Sequence, residues 1–205
     1  MTNALSFFNS SNRKIAELAQ IIACEPELTR LQDERGESAL FLAIEYGLDF
    51  VSLLINAGAN VNHRNQLGES PLHQAAEDFD GEIARILIDH GAEINATDKI
   101  GQTALHAAAL HGAKNVAGVL ILKGANVNIK DKAGYTPLHY AVAVNNVPVW
   151  RTSDFLKLTE ILLDAGADPN AITSSRFTVL GLAKQRSNSQ GFVDLLIKYG
   201  AKENN

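Results

Sequence analysis

Short apolar stripes at helical spacing recur along this chain. Ile83, Ile86 and Leu87 form one such stripe, and the same spacing returns within residues 116–120. The alanine pair Ala75-Ala76 precedes the first stripe, and small side chains at such positions let two helices approach closely. Because apolar residues three and four apart share one face of a helix, the pattern predicts pairs of short amphipathic helices.

Turn glycines, each followed by a short tetrapeptide motif, separate these helix pairs at a nearly constant interval. Successive turn glycines lie 32, 33 and 33 residues apart, at Gly36, Gly68, Gly101 and Gly134. Each is followed closely by a short motif: Ser38-Ala39-Leu40-Phe41, Ser70-Pro71-Leu72-His73, Thr103-Ala104-Leu105-His106 and Thr136-Pro137-Leu138-His139. A fixed period of this length predicts a stacked repeat array rather than one globular core.

The residues at these positions suit the starts and ends of helices. Ser70 and Thr103 suit the N-cap of a helix, and Pro71 suits the first helical position, where no amide donor is required. Gly91 and Gly124 follow the second helix, where a glycine can adopt the left-handed conformation that ends it. Each unit is therefore predicted to run helix, turn, helix and then a hairpin-like finger into the next unit.

The motif resembles the T-P-L-H-x-A signature of the ankyrin repeat, most closely at residues 70–75, 103–108 and 136–141. The resemblance implies an all-α solenoid of stacked helix-turn-helix units with β-hairpin finger loops. It extends over nearly the whole chain, which we interpret as one domain, 1–205. The predicted units are a divergent N-terminal cap at 3–35, full repeats at 36–67, 68–100, 101–133 and 134–175, and a closing unit at 176–205.

Two irregularities interrupt the period. Gly134 to Gly166 spans 32 residues where Gly101 to Gly124 spans 23. We predict that the extra nine residues form a loop around 144–155, because it contains Pro148. The second irregularity is at the last unit, where arginine replaces the turn glycine at position 176.

Composition narrows the function classes. The chain has 205 residues, 46% of them hydrophobic, and no apolar run near the ~18 residues of a membrane span. Its net charge of −5 argues against binding to nucleic acid backbones. A charged leader with an apolar run is missing at the N-terminus, so we expect a cytoplasmic protein, or one in a host cytosol if it is a secreted effector. A monomer is expected, and Cys24, the single cysteine, is predicted to be buried.

The sequence gives little indication of catalysis or metal binding. Equivalent histidines in stacked helices, His73, His106 and His139, would lie about 8–10 Å apart, which is too far to share one zinc ion. We predict that they bond to nearby backbone instead. The acidic run 77–82 lacks a nucleophile, phosphate loop or metal set beside it. The sequence therefore predicts no catalytic residues, no metal site and no cofactor.

Protein binding is the favoured function, because the partner of an ankyrin protein usually lies on the concave face of the array. The resemblance places that face on the finger tips and on the exposed side of each first helix. Carboxylates dominate its first half and lysines its second, so we expect a protein or peptide partner of opposite polarity. The selected residues are Glu37, Glu45, Tyr46, Leu67, Glu69, Glu77, Asp78, Lys99, Ile100, Leu110, His111, Lys132, Tyr135, Val144 and Phe177.

Three further positions lie beside this face. Phe79 replaces a glycine that stands between the two helices at Gly47 and Gly112, and it is expected to be exposed. Trp150 and Arg151 belong to the inserted segment and are residue types enriched at interfaces. Trp150 is therefore either an anchor for the partner or a cover for apolar residues of its own segment.

Two other functions stay open. One is an enzyme or a small-ligand receptor with a site between repeats, although no convergent polar groups indicate a pocket. The other is modification, since ankyrin fingers resemble substrates of asparagine hydroxylases. Asn95 and Asn170 each follow a leucine by eight residues, with an acidic residue between, and are the candidate positions. Turn hydrogen bonding also explains these asparagines.

Overall fold

Helices stacked in two rows make up the protein, with polar finger turns between successive pairs. The computed structural model describes residues 15–144, 149–186 and 189–203. Over these residues the helices are α1 (Ile15–Cys24), α2 (Ala39–Tyr46), α3 (Leu48–Asn56), α4 (Pro71–Glu77), α5 (Gly81–Asp89), α6 (Ala104–His111), α7 (Lys114–Leu122), α8 (Pro137–Ala143), α9 (Val149–Asp164), α10 (Val179–Lys184) and α11 (Gln190–Lys198). A 3-10 helix at Pro26–Arg30 follows α1.

The two rows follow from the order of the helices. The even-numbered helices α2, α4, α6, α8 and α10 pack on one another as an inner row, and the odd-numbered helices pack behind them as an outer row. Leucines and alanines of the inner helices are fully buried, as at Leu72, Ala75 and Leu105. Because no helix pair could bury this surface alone, each depends on its neighbours for a core.

Fingers join consecutive pairs and stack on one another. The Lys99 amide donates to the Leu67 carbonyl at 3.0 Å, and the Lys132 amide donates to the Ile100 carbonyl at 3.0 Å. Isolated β-bridges join Gln32 to Ser38 and Ile172 to Thr178, in the first and last fingers of the described chain. The finger turns are thus held mainly by turn hydrogen bonds rather than by extended strands.

An acidic or amide side chain organises four of the five fingers, a signal that the sequence analysis overlooked. Asp33, Asn65, Asp98 and Asp131 stand three positions before the turn glycines. Each Oδ1 accepts from two backbone amides, two and four residues further on, at 2.8–2.9 Å. Such turns satisfy backbone donors without a strand partner.

Two features require glycine at the turn position of the inner fingers: a positive φ and the close approach of the next finger. Gly68 and Gly101 have φ of +81° and +89°, and a Cβ on either would lie 3.0 Å from the backbone nitrogen of Lys99 or Lys132 in the next finger. Arg176 adopts the same conformation, with φ of +65°. It tolerates a side chain because the described residues include no further finger beyond it.

Two sequence predictions are wrong. The inserted segment is helical from Val149 onward rather than a loop, because its residues 149–155 continue into the outer helix of the fourth repeat. Pro148, on which the prediction of a loop rested, lies outside the described residues. Helix α9 is 16 residues long, whereas α5 and α7 have nine, so the insertion adds about two turns to an outer helix. Cys24 is exposed rather than buried, because it lies at the C-terminal end of α1.

Candidate functional site

The predicted concave face begins with an acidic pocket. Glu37, Glu69 and Glu77 line it together with Arg35 and Leu67, and its volume is about 400 Å³. Glu37 and Glu69 are equivalent residues of adjacent fingers, and Glu77 lies at the C-terminal end of α4. The repeat geometry therefore brings together three carboxylates that are far apart in sequence.

The environment of Glu37 and Glu77 disfavours their ionised forms. Partial burial raises the pKa of Glu77, and the neighbouring charges of Glu69, Asp78 and Glu37 raise it further. Partial burial also raises the pKa of Glu37, although Arg35 opposes this at an Nη2 to Oε2 distance of 2.8 Å. The pocket is therefore a region of negative potential whose repulsion is only partly compensated within the protein.

Other carboxylates of this half lie beside the pocket. Glu45 is exposed on α2, one residue before the half-buried Tyr46, whose ring lies 5.9 Å from that of Phe50. Asp78 is exposed and accepts from the Gln74 side chain at 3.0 Å. The acidic residues thus continue from the fingers onto the ends of the inner helices.

Large apolar side chains are exposed in the middle of the face. Leu67 and Ile100 occupy equivalent finger positions and are 62% and 55% exposed. Phe79 and Leu110, at the ends of α4 and α6, are 45% and 39% exposed. Four large apolar side chains therefore remain partly exposed to solvent on this part of the array.

The histidine row is structural in the way predicted from the sequence. His73 Nδ1 accepts from the Ser70 amide at 3.2 Å, so the proton lies on Nε2, which donates to the Gln102 carbonyl at 3.1 Å. His106 repeats this arrangement with Thr103 and Tyr135. Each imidazole therefore caps its own helix and links it to the next finger.

His139 differs in one hydrogen bond. Its Nδ1 accepts from the Thr136 amide at 3.1 Å, but its buried Nε2 meets no hydrogen-bond partner among the described residues. Burial lowers the pKa of His139 to about 4. In the first repeat Phe41 replaces the histidine, and the buried hydroxyl of Ser38 is correspondingly left without a partner in the described structure.

Aromatic side chains occupy the lysine-rich half, and one of them escaped the sequence analysis. Tyr135 is half-buried, with its ring 5.5 Å from that of Tyr140. The Tyr140 hydroxyl donates to Asp131 at 2.7 Å and accepts from Gln102 at 2.6 Å. Burial, together with this carboxylate, raises the pKa of Tyr140. Tyr135 is consequently part of a packed cluster as well as of the surface.

The cations of this half are partly used by the protein itself. Lys99 and Lys132 are exposed, but the Lys132 ammonium donates to the Lys99 carbonyl at 2.6 Å. Val144 ends α8 and packs against the core, whereas Phe177 in the last finger is 44% exposed. One of the two lysines is therefore held against the backbone of the array, although it keeps its positive charge.

Phe79, His111 and Arg151 come together where α9 is extended. The Arg151 guanidinium donates to the His111 carbonyl, and its central carbon lies 5.2 Å from the centre of the Phe79 ring. The Phe79 and His111 rings meet edge-on at 6.5 Å. A pocket of about 460 Å³ borders this cluster, lined also by Gly112, Lys114 and Asp154. The side chain of Trp150 lies outside the described residues.

Phe79 has an unfavourable backbone conformation. Its φ is +64°, in the left-handed region that costs a residue with a Cβ about 1–2 kcal/mol, and the equivalent Gly112 has φ of +73°. Contacts of the ring with Arg151 and His111 offset part of that cost. The exposure predicted for Phe79 is confirmed.

A second arginine, Arg186, went unnoticed in the sequence. It is only 5% exposed, stacks at 4.1 Å from the centre of the Phe192 ring and donates to the Ala141 carbonyl at 3.3 Å. Its Nη2 meets no partner among the described residues, and burial lowers the pKa of the guanidinium. A position that follows a short helix of ordinary composition gives no sequence signal for a buried cation.

Finger asparagines link successive units. Asn170 donates to the Gly200 carbonyl at 3.0 Å and accepts from the Lys202 amide at 2.8 Å, and Asn62 makes the equivalent pair of bonds to Gly91 and Glu93. Asn95 accepts from the Asn126 amide at 2.9 Å. Asn95 and Asn170 are exposed, and their hydroxylation stays a prediction.

No group of three or more histidine, cysteine or carboxylate side chains among the described residues is arranged to hold a metal ion. None of the described helices is long and apolar enough to cross a bilayer.

Comparison with known proteins agrees with the repeat geometry. A family model described as ankyrin repeats in three copies matches residues 7–98 and 95–152, and a single ankyrin-repeat model matches 133–174. A search of curated proteins found no significant match. Ankyrin repeats are generally protein–protein interaction modules and typically non-enzymatic. The matched segments cover most of the chain, which therefore belongs to the ankyrin-repeat family.

Proposed function

We propose that this protein acts by binding, without catalysis, and that it holds a protein partner on its concave face. The observation that carries the proposal is the exposure of Leu67 and Ile100 on two adjacent fingers. A stacked array supplies the same rigid backbone at every finger, so side chains at equivalent positions form a continuous surface. More than half of each of these two side chains is exposed, and a partner that covers them would gain the free energy of burying that apolar surface.

Charges on either side of this apolar centre support a partner of defined polarity. Glu37, Glu69 and Glu77 lie towards the first repeat, and Lys99 and Lys132 lie towards the fourth. Apolar anchors would supply most of the affinity, while the charges would set the orientation and raise the association rate. The favoured partner is a segment that is basic at the end meeting the first repeat and acidic at the other end.

The experiment is an affinity purification from native lysate, followed by mass spectrometry and titration of the recovered partner. A Leu67→Ser, Ile100→Ser double variant removes both anchors, and each change falls on an exposed side chain, so folding is preserved. We expect binding to weaken by roughly tenfold or more, because an interface anchor contributes over 1 kcal/mol.

Leu122→Ser is the matched control. Leu122 is 84% exposed on the outer helix α7, so the same chemical change is made behind the array rather than on its concave face. The control should bind like the unmodified protein. A partner that the double variant retains, or that Leu122→Ser loses instead, would contradict the proposed face.

A further inference from the structure

The extension of α9 contacts units that it should not reach in a simple array. In a solenoid each repeat touches only its neighbours. Arg151 belongs to the fourth repeat, yet its guanidinium lies over the ring of Phe79, in the second repeat. The same guanidinium donates to the carbonyl of His111, the last residue of α6 in the third repeat. One side chain thus touches both preceding repeats.

The same row continues towards the C-terminus. Phe155 of α9 lies between two arginines, with Arg151 at 5.7 Å and Arg186 at 5.3 Å from its ring centre. Arg186, in the closing unit, then stacks on Phe192 of α11. Phenylalanine and arginine alternate across this edge of the array, in the order Phe79, Arg151, Phe155, Arg186 and Phe192.

Both arginines also contact the ends of inner helices. Arg151 donates to the last residue of α6, and Arg186 donates to Ala141 in the last turn of α8. The carbonyls at a helix C-terminus carry partial negative charge and attract cations. Stacking on aromatic rings adds to this attraction, and more so where the guanidinium is shielded from water.

We propose that this row of side chains is a clamp that joins the second, third and fourth repeats and the closing unit into one cooperative folding unit. Coupling from the fourth repeat to the second bypasses the third, which nearest-neighbour stacking cannot do. The first repeat, which contributes no side chain to the row, stays outside the unit. The clamp concerns stability alone, so it stands or falls independently of the proposed partner.

Hydrogen exchange measured by mass spectrometry on the isolated full-length chain tests the clamp. Arg151→Ala should raise the exchange rate of amides in α4 and α5 by about threefold to tenfold, because it removes a cation–π contact and a charged hydrogen bond. Helices α2 and α3 should exchange as in the unmodified protein. The readout lies in the second repeat, at a distance along the chain from the substitution.

Asp154→Asn is the matched control. Asp154 lies on the same extension and pairs with Lys114 at 2.6 Å, but that contact joins only adjacent repeats. This variant should leave exchange in α4 and α5 unchanged. If Arg151→Ala also leaves it unchanged, or if it raises exchange equally in α2 and α3, the clamp is wrong.

Phe79→Gly tests the same coupling from the second repeat towards the fourth. It also keeps the proposal testable if the Arg151 variant fails to fold. Glycine suits the positive φ at this position, so the turn itself is not disrupted. We expect faster exchange in the first two turns of α9, because the ring that Arg151 covers is gone. Unchanged exchange in α9 would overturn the proposal.

Discussion

The two halves of the array use their charges in different ways. In the acidic half, Glu37 and Glu77 repel neighbouring carboxylates, and their raised pKa values show that the fold holds them at some cost. In the C-terminal half, Arg151 and Arg186 are covered by aromatic rings and bonded to helix carbonyls. The acidic charges are therefore only partly compensated by the protein, whereas the two arginines are engaged by rings and carbonyls of the array.

This difference changes the meaning of the polarity predicted from the sequence. A list of charges along the chain shows acidic residues followed by basic ones, as if the two ends of the face were equivalent. The structure shows that Arg151 and Arg186 are partly or fully buried and that Lys132 is tied to the Lys99 carbonyl. The two arginines are thus less accessible at the surface than their place in the sequence indicates.

The largest expected effect comes from removing the aromatic centre of the C-terminal half. Phe155 is 1% exposed and packs over Gly112, so Phe155→Ala should lower the free energy of unfolding by about 3–5 kcal/mol. Urea unfolding followed by circular dichroism measures this. Phe177→Ala, a change at a 44% exposed ring in the same half, is the control and should cost under about 1 kcal/mol. A loss below that level for Phe155→Ala would contradict the structural role of the row.

The second-largest expected effect is on stability at low pH, where the titratable groups of the two halves change stability in opposite directions. His139 has a folded pKa of about 4 against an ordinary value of 6.5, so it contributes stability above pH 6.5 that is lost as the pH falls towards 4. The loss amounts to roughly 3 kcal/mol. Glu37 and Glu77 change in the opposite sense, because protonation relieves their repulsion in the folded state.

His139→Phe isolates the histidine contribution, since Phe41 fills the same position in the first repeat. The variant loses a hydrogen bond at every pH, so the informative quantity is the slope of stability against pH. Between pH 6.5 and 4 that slope should be smaller than in the unmodified protein. Equal slopes would mean that His139 is not held neutral by burial.

The smallest expected effect tests the cost of the acidic pocket. Glu77→Gln should stabilise the protein at pH 7 by roughly 0.5 kcal/mol, because it removes one charge from a repelling group. The advantage should disappear as the pH falls through the raised pKa of Glu77, where the unmodified side chain also becomes neutral. Thermal unfolding at both pH values measures it.

Lys132→Met gives the matching change in the C-terminal half. Its ammonium is exposed and bonded only to a carbonyl among the described residues, so stability should change by less than about 0.5 kcal/mol. Destabilisation by Glu77→Gln at pH 7 would contradict this account, because it would mean that the fold favours the ionised form of Glu77.

Local features of the fold were predictable from the sequence because local interactions produce them. The period, the helix-capping residues and the role of the histidines depend on groups within one unit and its neighbour. The position of Phe79 was identified for the same reason, since a residue that replaces a turn glycine must accept the turn conformation. The aspartate or asparagine at the start of four of the fingers could also have been found, since these residues recur at the same interval.

Other features depended on contacts between distant residues. The periodicity marks the insertion but does not show that it lengthens α9, because a proline before a helix and a proline inside one look alike in a single sequence. Nothing near Arg186 indicates that it is buried, since its partners Ala141, Phe155 and Phe192 come from three different helices.

The sequence by itself determined the repeated unit, the family and the residues that face outward at each finger, because turn and helix geometry is decided within a few residues. Only the tertiary structure decided which charges are free. Whether a cation serves a partner or the protein depends on rings and carbonyls that the stacking of units brings within a few ångströms, as for Arg151 and Phe79. The same stacking, and not composition, places Glu37, Glu69 and Glu77 around one pocket.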